Sequence, residues 1–422
     1  MKNIYASSGV TAYNGCGAVP PGGGRGTVGI VYNAGWGAPG EVSLYSRSSF
    51  IPGRYIKEAF ACDIDDPSLD GIRDVLANAS SVAVFRPSGG SVASCSFGQA
   101  RYPGARGNSI RLVVYLQDDG SYRVVTYLCS EAVDSQVVIS AAELKDNAFV
   151  IFNRDAVIFE TAGLPLTGGA DATPDEFDFA TGIEALLAHP INIDILACAD
   201  GAPAHADACI SAVRREREAG RCVKCVLFRY FGDGSAFVTS VYNEDSYGGG
   251  GVVYYTAGLC ASSYPWETLA GKSYAGSFGI MADFSDEECS QLAEEGQIVY
   301  QNHKKAELYP RIFRDINTSA SKSDCMLSDN SCIRLYDYIV SNIRTIFNDK
   351  YADVVYDDAA GCSTLADEIR SFLSLLSHKY GAVRSDTISA DVTTDGEGAI
   401  TASLAVSPLL RPYDVSITIF MA

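Results

Sequence analysis

Cys222-Val-Lys-Cys225 is the one CxxC pair in the sequence. Such a pair does redox chemistry when it opens a helix, and it ligates zinc when a second pair completes the set. Here it begins a run from Cys222 to Tyr230 that reads as a β-strand, where residues three apart point to opposite faces. The two cysteines are therefore expected to be buried, reduced thiols. Thirteen cysteines, an odd number spread over 422 residues, do not read as a secreted disulfide framework.

Four other groupings invite a chemical reading. Gly24 to Gly29 matches GxGxxG, but two prolines and three glycines precede it and a β-rich run, Thr27 to Asn33, follows. A dinucleotide site needs the reverse order, strand first and helix after. Gly248 to Gly251 lacks the Lys-Ser/Thr of a phosphate-binding loop and reads as a flexible link. The four histidines do not form a hydrolytic set: His189 precedes Pro190 at a helix end, His205 starts a helix, and His303 and His378 belong to another region. Neither a Gly-x-Ser-x-Gly elbow nor a Gly-Thr-Ser turn accompanies them. Asp194 and Asp200 flank the end of a strand where α/β ligands bind, and read as turn and helix-cap residues. No catalysis, cofactor or metal is expected from these patterns. The rival reading is an α/β enzyme or ligand-binding protein built on residues 159–302.

Composition narrows the classes further. With 32 basic and 51 acidic residues the net charge is −19, which opposes wrapping around a phosphate backbone. Hydrophobic content of 47% with 20% charged residues predicts a globular chain, and its length allows two to four domains. No apolar run reaches the roughly 18 to 20 residues of a membrane span, so no membrane insertion is expected. Met1 to Gly9 carries no apolar core of signal-peptide length, so synthesis and residence in a cytoplasm are the expectation.

The elements that must position these residues follow in order. Residues 1–24, rich in Gly, Ser and Pro, form an arm with two β-capable pieces, Asn3-Ile4-Tyr5 and Val10-Thr11-Ala12-Tyr13. A helix over Ser68 to Asn78 and a strand Val82 to Arg86 lead to a boundary at Gly89-Gly90. Residues 91–158 predict a small all-β module, with strands at Val92–Phe97, Ser109–Gln117, Tyr122–Leu128 and Val137–Ile139 and a hairpin turn at Asp118-Asp119-Gly120. From Val157 strands and helices alternate, predicting a largely parallel sheet with helices on its faces. Thr173-Pro174-Asp175-Glu176 and Ser285-Asp286-Glu287-Glu288 read as capping boxes, the first opening a helix that buries Phe177, Ala180, Ile183 and Leu187. Val252 to Tyr255 precedes a small-residue helix at Ala257 to Ser263.

Residues 307–351 organise the rest. A short strand over Tyr309 to Thr318 precedes a helix with Ile333, Tyr336, Val340, Ile343 and Phe347 on one face and Arg334, Asp337 and Arg344 turned away. A second helix is expected over Thr364 to Lys379, capped at Thr364, with Leu365, Ile369, Phe372 or Leu373, and Leu376 buried. Two β runs, Thr387–Thr393 and Ala399–Val406, then a last strand, Tyr413 to Met421, complete the pattern.

Several of these segments resemble contractile phage-tail sheath proteins. Arg314-Asp-Ile-Asn-Thr318 and Ile343-Arg-Thr-Ile-Phe-Asn-Asp349 are similar to the sheath C-terminal domain. Tyr102-Pro-Gly-Ala-Arg-Gly-Asn108 resembles the lead-in to a β-sandwich domain, and Leu166-Thr-Gly-Gly-Ala-Asp171 the opening of a middle domain of subtilisin-like fold. Gly35-Trp-Gly-Ala-Pro-Gly-Glu41 resembles the turn after the first inner strand. The resemblance implies an α+β and α/β multidomain protein: an inner α+β domain formed from both chain ends, an inserted small β-sandwich, and a subtilisin-like α/β domain without a catalytic triad. Its expected parts are an N-terminal arm (1–24), inner-domain segments (25–90 and 303–412), the β-sandwich (91–158), the α/β domain (159–302) and a C-terminal arm (413–422). It also implies hexameric rings of this chain stacked helically around a tail tube protein, with baseplate and tail terminator proteins as partners, in a virion tail or phage-tail-like particle. The arms would use Ile4, Tyr5, Val10, Tyr13, Val415, Ile417 and Ile419. The receiving hairpin would present Ile388, Val392, Ile400 and Leu404, and the tube-facing helix Asp367, Arg370 and Lys379.

Overall fold

In the computed structural model, which describes residues 26–51, 53–173, 177–302, 309–322, 327–351, 359–395 and 400–409, the first strand forms directly after Gly26. That glycine has φ +72°, and a Cβ there would lie 2.3 Å from the Ala261 carbonyl oxygen. The run Thr27–Val31 is β1, followed by β2 (Val42–Ser46), α1 (Arg54–Phe60), α2 (Asp70–Asn78) and β3 (Ser81–Phe85). The chain then enters a β-rich excursion. Its strands are β4 (Ser94–Cys95), β5 (Gly98–Ala100), β6 (Ile110–Leu116), β7 (Tyr122–Leu128), β8 (Glu131–Val138), β9 (Val150–Phe152) and β10 (Thr161–Pro165). They form a four-stranded antiparallel sheet, β10-β6-β7-β8, and a three-stranded one, β4-β5-β9. Both contribute to one core around Ile110, Leu112, Val124, Val150 and Phe152. The hairpin turn lies where the Asp-Asp-Gly signal puts it: Gly120 has φ +80°, and Asp119 Oδ1 accepts hydrogen bonds from the Ser121 amide (2.9 Å) and hydroxyl (2.6 Å).

The chain returns through α3 (Phe179–Ala188), β11 (Ile195–Cys198), α4 (Pro203–Glu218), β12 (Lys224–Phe228), β13 (Val238–Val241), α5 (Val252–Ser262), α6 (Asp286–Glu294) and β14 (Gln297–Ile298). A seven-stranded sheet results, in the order β14-β13-β12-β11-β1-β3-β2. All neighbours are parallel except β2, which runs antiparallel to β3. Alternation along β11 divides its side chains between two cores. Ile195 and Ala197 pack with α2 and α5, and Leu196 and Cys198 pack with α3 and α4. Apolar burial on both faces is why these strands read as continuous hydrophobic runs rather than alternating ones.

Beyond the sheet lie β15 (Tyr300–Gln301), β16 (Arg311–Ile312), α7 (Asn330–Lys350), α8 (Ala359–Tyr380) and an antiparallel hairpin, β17 (Ser389–Thr394) and β18 (Ile400–Ala405). Leu365, Ile369, Leu373 and Leu376 of α8 are buried with Leu335 and Ile339 of α7, as the spacing on α8 predicts. No helix among the described residues is long and apolar enough to cross a membrane.

Six expectations change. Strands β1–β3, expected in an inner-domain segment of residues 25–90, share the seven-stranded sheet and its cores with β11–β14, because β1 pairs with β11; a parallel partner 167 residues away leaves no local signal. The β-rich excursion extends past residue 158, since β10 pairs with β6. The first α/β helix starts at Phe179, with Asp178 as its N-cap accepting from the Ala180 amide; Phe179 is buried there and Ala180 exposed. Residues 252–255 are the first turn of α5, so that helix begins at Val252 and not at Ala257. Helix α8 begins at Ala359, so Thr364 is interior and bonds back to the Ala360 carbonyl instead of capping. The strand expected over Tyr309 to Thr318 is reduced to Arg311–Ile312, and the residues after it turn inward as polar anchors.

Candidate functional site

The five sheath-like segments are far apart in sequence, yet three of them meet at the base of the β-rich excursion. Gly104 of the Tyr102–Asn108 segment has φ +134°, and its Cβ position would fall 2.3 Å from the Gly35 carbonyl oxygen. Only glycine serves there. Gly107 has ordinary φ but faces the Cβ atoms of Ala93 and Ala100 at 2.9 and 3.0 Å, so it is required by space. Between them Arg106 reaches across the junction to the Asp66 carboxylate (2.7 Å), the Ser68 hydroxyl (2.5 Å) and the Ala34 carbonyl (3.2 Å).

The returning strand closes the same junction. Asn108 exchanges two hydrogen bonds with the Gly169 backbone, at 2.8 and 2.9 Å, and Asp171 Oδ1 accepts from the Ala105 amide at 3.0 Å. Trp36, 1% exposed, donates its indole N–H to the Glu58 carbonyl and packs edge-on against Tyr102. Arg86 donates to the carbonyls of Gly37 and Pro103. Charge-assisted bonds of this kind are roughly twice as strong as neutral ones. The chain thus leaves and re-enters the α/β body through one joint, tied by hydrogen bonds from both of its passes.

A second junction fixes α7 to the sheet. The helix does not have the polar outer face that its spacing predicts. Val340 is 37% exposed, whereas Arg334 is buried and Asp337 nearly so. Arg334 Nη2 contacts Asp315 Oδ2 at 2.6 Å and the Glu267 carbonyl at 2.5 Å. Asp337 receives Arg217 Nη2 at 2.5 Å and Lys224 Nζ at 3.2 Å, while Arg217 stacks on Phe237 at 3.6 Å. Burial pulls the Lys224 ammonium below the usual lysine range, against the attraction of Asp337. Arg344 donates to the Gly220 carbonyl, and Asn330 joins the Ile316 carbonyl (2.7 Å) to Thr239. One side of α7 packs on α8, and the other is bolted to α4, β12 and β13. A helix held on two sides reads as amphipathic in sequence only because its ionic partners lie elsewhere.

On the far side of α8, Ile388, Val392, Ile400 and Leu404 turn their half-buried side chains onto the α7–α8 core. Asp367, Arg370 and Lys379 lie on the exposed side of α8, where Arg370 pairs with Asp367 (2.6 Å) and donates to the Ala390 carbonyl (2.6 Å). Ile4, Tyr5, Val10, Tyr13, Val415, Ile417 and Ile419 lie outside the described residues.

Cys225 is buried and Cys222 half-buried, both with free thiols. His189 Nδ1 accepts the Ile191 amide at 3.4 Å. His205 meets Asp200 at 2.5 Å and stacks on Phe179 at 4.1 Å. Asp194 accepts the Thr27 amide at 2.8 Å, fastening β1 beside β11. In the glycine loop, Asp245 accepts from the amides of Tyr247, Gly249 and Gly251, each at 2.9 Å, so the loop wraps its own carboxylate.

No protein-family model matches the chain. The crystal structure of a sheath tail protein from Desulfitobacterium hafniense superposes with a TM-score of 0.77, covering 94% of this chain and 100% of that one at 21% identity. The fold is that of contractile phage-tail sheath proteins. A sheath tail protein from Listeria innocua gives 0.71 over 92% of this chain and 93% of its own at 23% identity. The contracted helical sheath of the anti-feeding prophage gives 0.56 at 12% identity, covering 99% of each chain. In sequence, the chain is 24% identical to YqbK of Bacillus subtilis strain 168, covering 96% of this chain and 94% of that protein. It is 28% identical to XkdK of the phage-like element PBSX of the same strain, over 50% of this chain and 49% of that one. The sheath-like motifs at 35–41, 102–108 and 166–171 are thus the ones that build the first junction. The ionic bolts of α7 have no sequence signal short of pairing Arg334 with Asp315 across 19 residues.

Proposed function

We propose that this chain is the structural subunit of a contractile tail sheath, polymerising around a tail tube and contracting to drive the tube through a target cell envelope. The observation that carries the reading is the end-to-end match to the sheath fold, spanning nearly the whole of both chains. Rigidity at both junctions supports it. A subunit that changes lattice as a rigid body needs its domains fixed to each other and its links carried on extensions. The extensions would be residues 1–24 and 413–422, adding strands to the β17–β18 hairpin of neighbouring copies in hexameric, helically stacked rings. Each strand of roughly six residues contributes several backbone hydrogen bonds at about 0.5–1.5 kcal/mol net apiece. The exposed side of α8, with Asp367, Arg370 and Lys379, would face the tube protein. Baseplate and terminator proteins would bound the polymer in a tail or tail-like particle. The sheet domain would act as a subtilisin-like frame without catalysis, carrying the β-rich insertion as a sandwich on its surface.

Negative-stain microscopy of the purified protein tests this directly, with tubes or rings expected. Deletion of residues 413–422 should leave a folded monomer that does not polymerise; long sheaths from that truncation would refute the arm assignment. A monodisperse full-length monomer that binds a small molecule would favour the α/β enzyme reading instead.

A further inference from the structure

At the carboxyl end of β11, where α/β sheets place their ligands, three donor types converge that nothing in the sheath reading uses. Cys198 is the last residue of β11, Asp200 lies in the loop after it, and His205 stands in the first turn of α4. One donor atom from each lies within 4.8 Å of the other two. Cys198 Sγ is 3.4 Å from Asp200 Oδ1, and Asp200 Oδ2 is 2.5 Å from His205 Nδ1. We propose that Cys198, Asp200 and His205 form a site for a divalent cation of zinc type, with its fourth position open to water.

The donor set decides the class of ion. A thiol sulfur with an imidazole nitrogen and one carboxylate oxygen suits zinc and its neighbours, whereas magnesium and calcium take oxygen shells. Tetrahedral zinc with bonds of roughly 2.0–2.3 Å sets its ligand atoms about 3.2–3.8 Å apart. The Asp200–His205 contact is shorter than that range and all three donor atoms lie within 4.8 Å of one another, so side-chain rotations bring them onto one ion. Asp200 Oδ1 accepts the Ala202 amide at 2.9 Å, which holds the carboxylate in place and leaves Oδ2 for the ion. Phe179 stacked on the imidazole limits the ring's orientation in the same way. Coordination replaces the Cys198 S–H bond with a metal–sulfur bond, and the proton passes to solvent. Thiolate and carboxylate together supply two negative charges, which outweigh the half-unit positive end of α4. Cys198 is buried while Asp200 and His205 reach the surface, so the open position faces outward. A bound ion would staple the end of β11 to α4.

Cobalt(II) and zinc titrations of the full chain test the proposal. One equivalent of cobalt should bind with an intense thiolate-to-cobalt charge-transfer band, displaced by zinc. Cys198→Ser should abolish that band. Asp200→Asn and His205→Gln, both at surface side chains and so without effect on the fold by circular dichroism, should each weaken zinc binding by roughly tenfold or more. A Cys289→Ser control should leave binding unchanged. The proposal is overturned if micromolar cobalt and zinc do not bind, which would reduce the cluster to an Asp200–His205 hydrogen bond. It is overturned equally if the band survives in Cys198→Ser, or if binding is indifferent to all three variants.

Discussion

Replacing Arg334 with methionine should be among the most damaging single changes in the chain. Its side chain is 8% exposed and its partner Asp315 is wholly buried. Asp315 Oδ2 also accepts the Leu269 amide at 2.8 Å. Arg334→Met fills similar volume but strands a buried carboxylate with one backbone donor, at a cost of about 3–5 kcal/mol. Asp315→Asn keeps an oxygen for the Leu269 amide while removing the charge. The double variant Asp315→Asn/Arg334→Met should therefore recover about 2 kcal/mol or more of the loss. A local probe is required, because a multidomain chain does not unfold in one step. Trp266 provides it: the indole stacks on Tyr380 at 4.2 Å and is adjacent to Glu267, whose carbonyl Arg334 holds. In a Trp36→Phe background, urea unfolding followed by Trp266 fluorescence should show the midpoint falling by at least about 1 M for Arg334→Met, given urea slopes of ~1–3 kcal/mol/M. A shift below about 0.3 M, or a double variant as unstable as the single, would refute the claim that this ion pair bolts α7 in place.

Burial raises the Asp74 carboxyl to about 6, although it accepts the Ser277 amide at 2.6 Å. Its folded pKa lies above the unfolded value, so the folded state binds the extra proton and stability falls as pH rises from about 4 to 6. Asp74→Asn should remove that slope and stabilise the protein at pH 7 by ~1–3 kcal/mol, read from denaturation midpoints across pH. Gly104→Ala forces a Cβ into the Gly35 carbonyl at a φ that alanine resists, and should lower the melting temperature by several degrees or prevent soluble expression. Ser285 and Glu288 form a reciprocal capping box on α6, with Glu288 held below the usual carboxylate range by the Ser285 amide and hydroxyl. Ser285→Ala should cost about 1 kcal/mol, and a change within error in urea midpoint would contradict the cap.

Legibility in the sequence followed the range of the forces involved. The Ser285 box, the Asp118–Gly120 hairpin and the buried stripe of α8 were readable because their partners lie within a few residues. The helix starts at Phe179 and Val252 are set by tertiary packing, against a stronger-looking cap at Thr173 in the first case and a small-residue run from Ala257 in the second. The sharing of one sheet by residues 27–85 and 195–298 left no periodic trace, since parallel pairing is settled by cores on both faces. Helical spacing places Arg334 and Asp337 opposite the apolar stripe, and so in solvent. Their burial depended on Asp315, Arg217 and Lys224, and no spacing rule connects those residues. The sheath-like motifs were legible as strings, but their meeting at one joint came from the fold.

That joint has an evolutionary consequence. Ser91 and Ala170 form an antiparallel bridge, Ser94 and Thr167 a second, and the Cβ position of Gly90 is 2.4 Å from the Ala170 carbonyl oxygen. The two ends of an eighty-residue stretch therefore lie side by side, the geometry that tolerates domain insertion and removal. Ends this close are what an exchangeable cassette requires, so a hairpin closing Gly90 to Ala170 is expected to leave the strand order of the seven-stranded sheet unchanged. Decoration at this joint can then diversify while the ionic contacts that hold α7 stay the same.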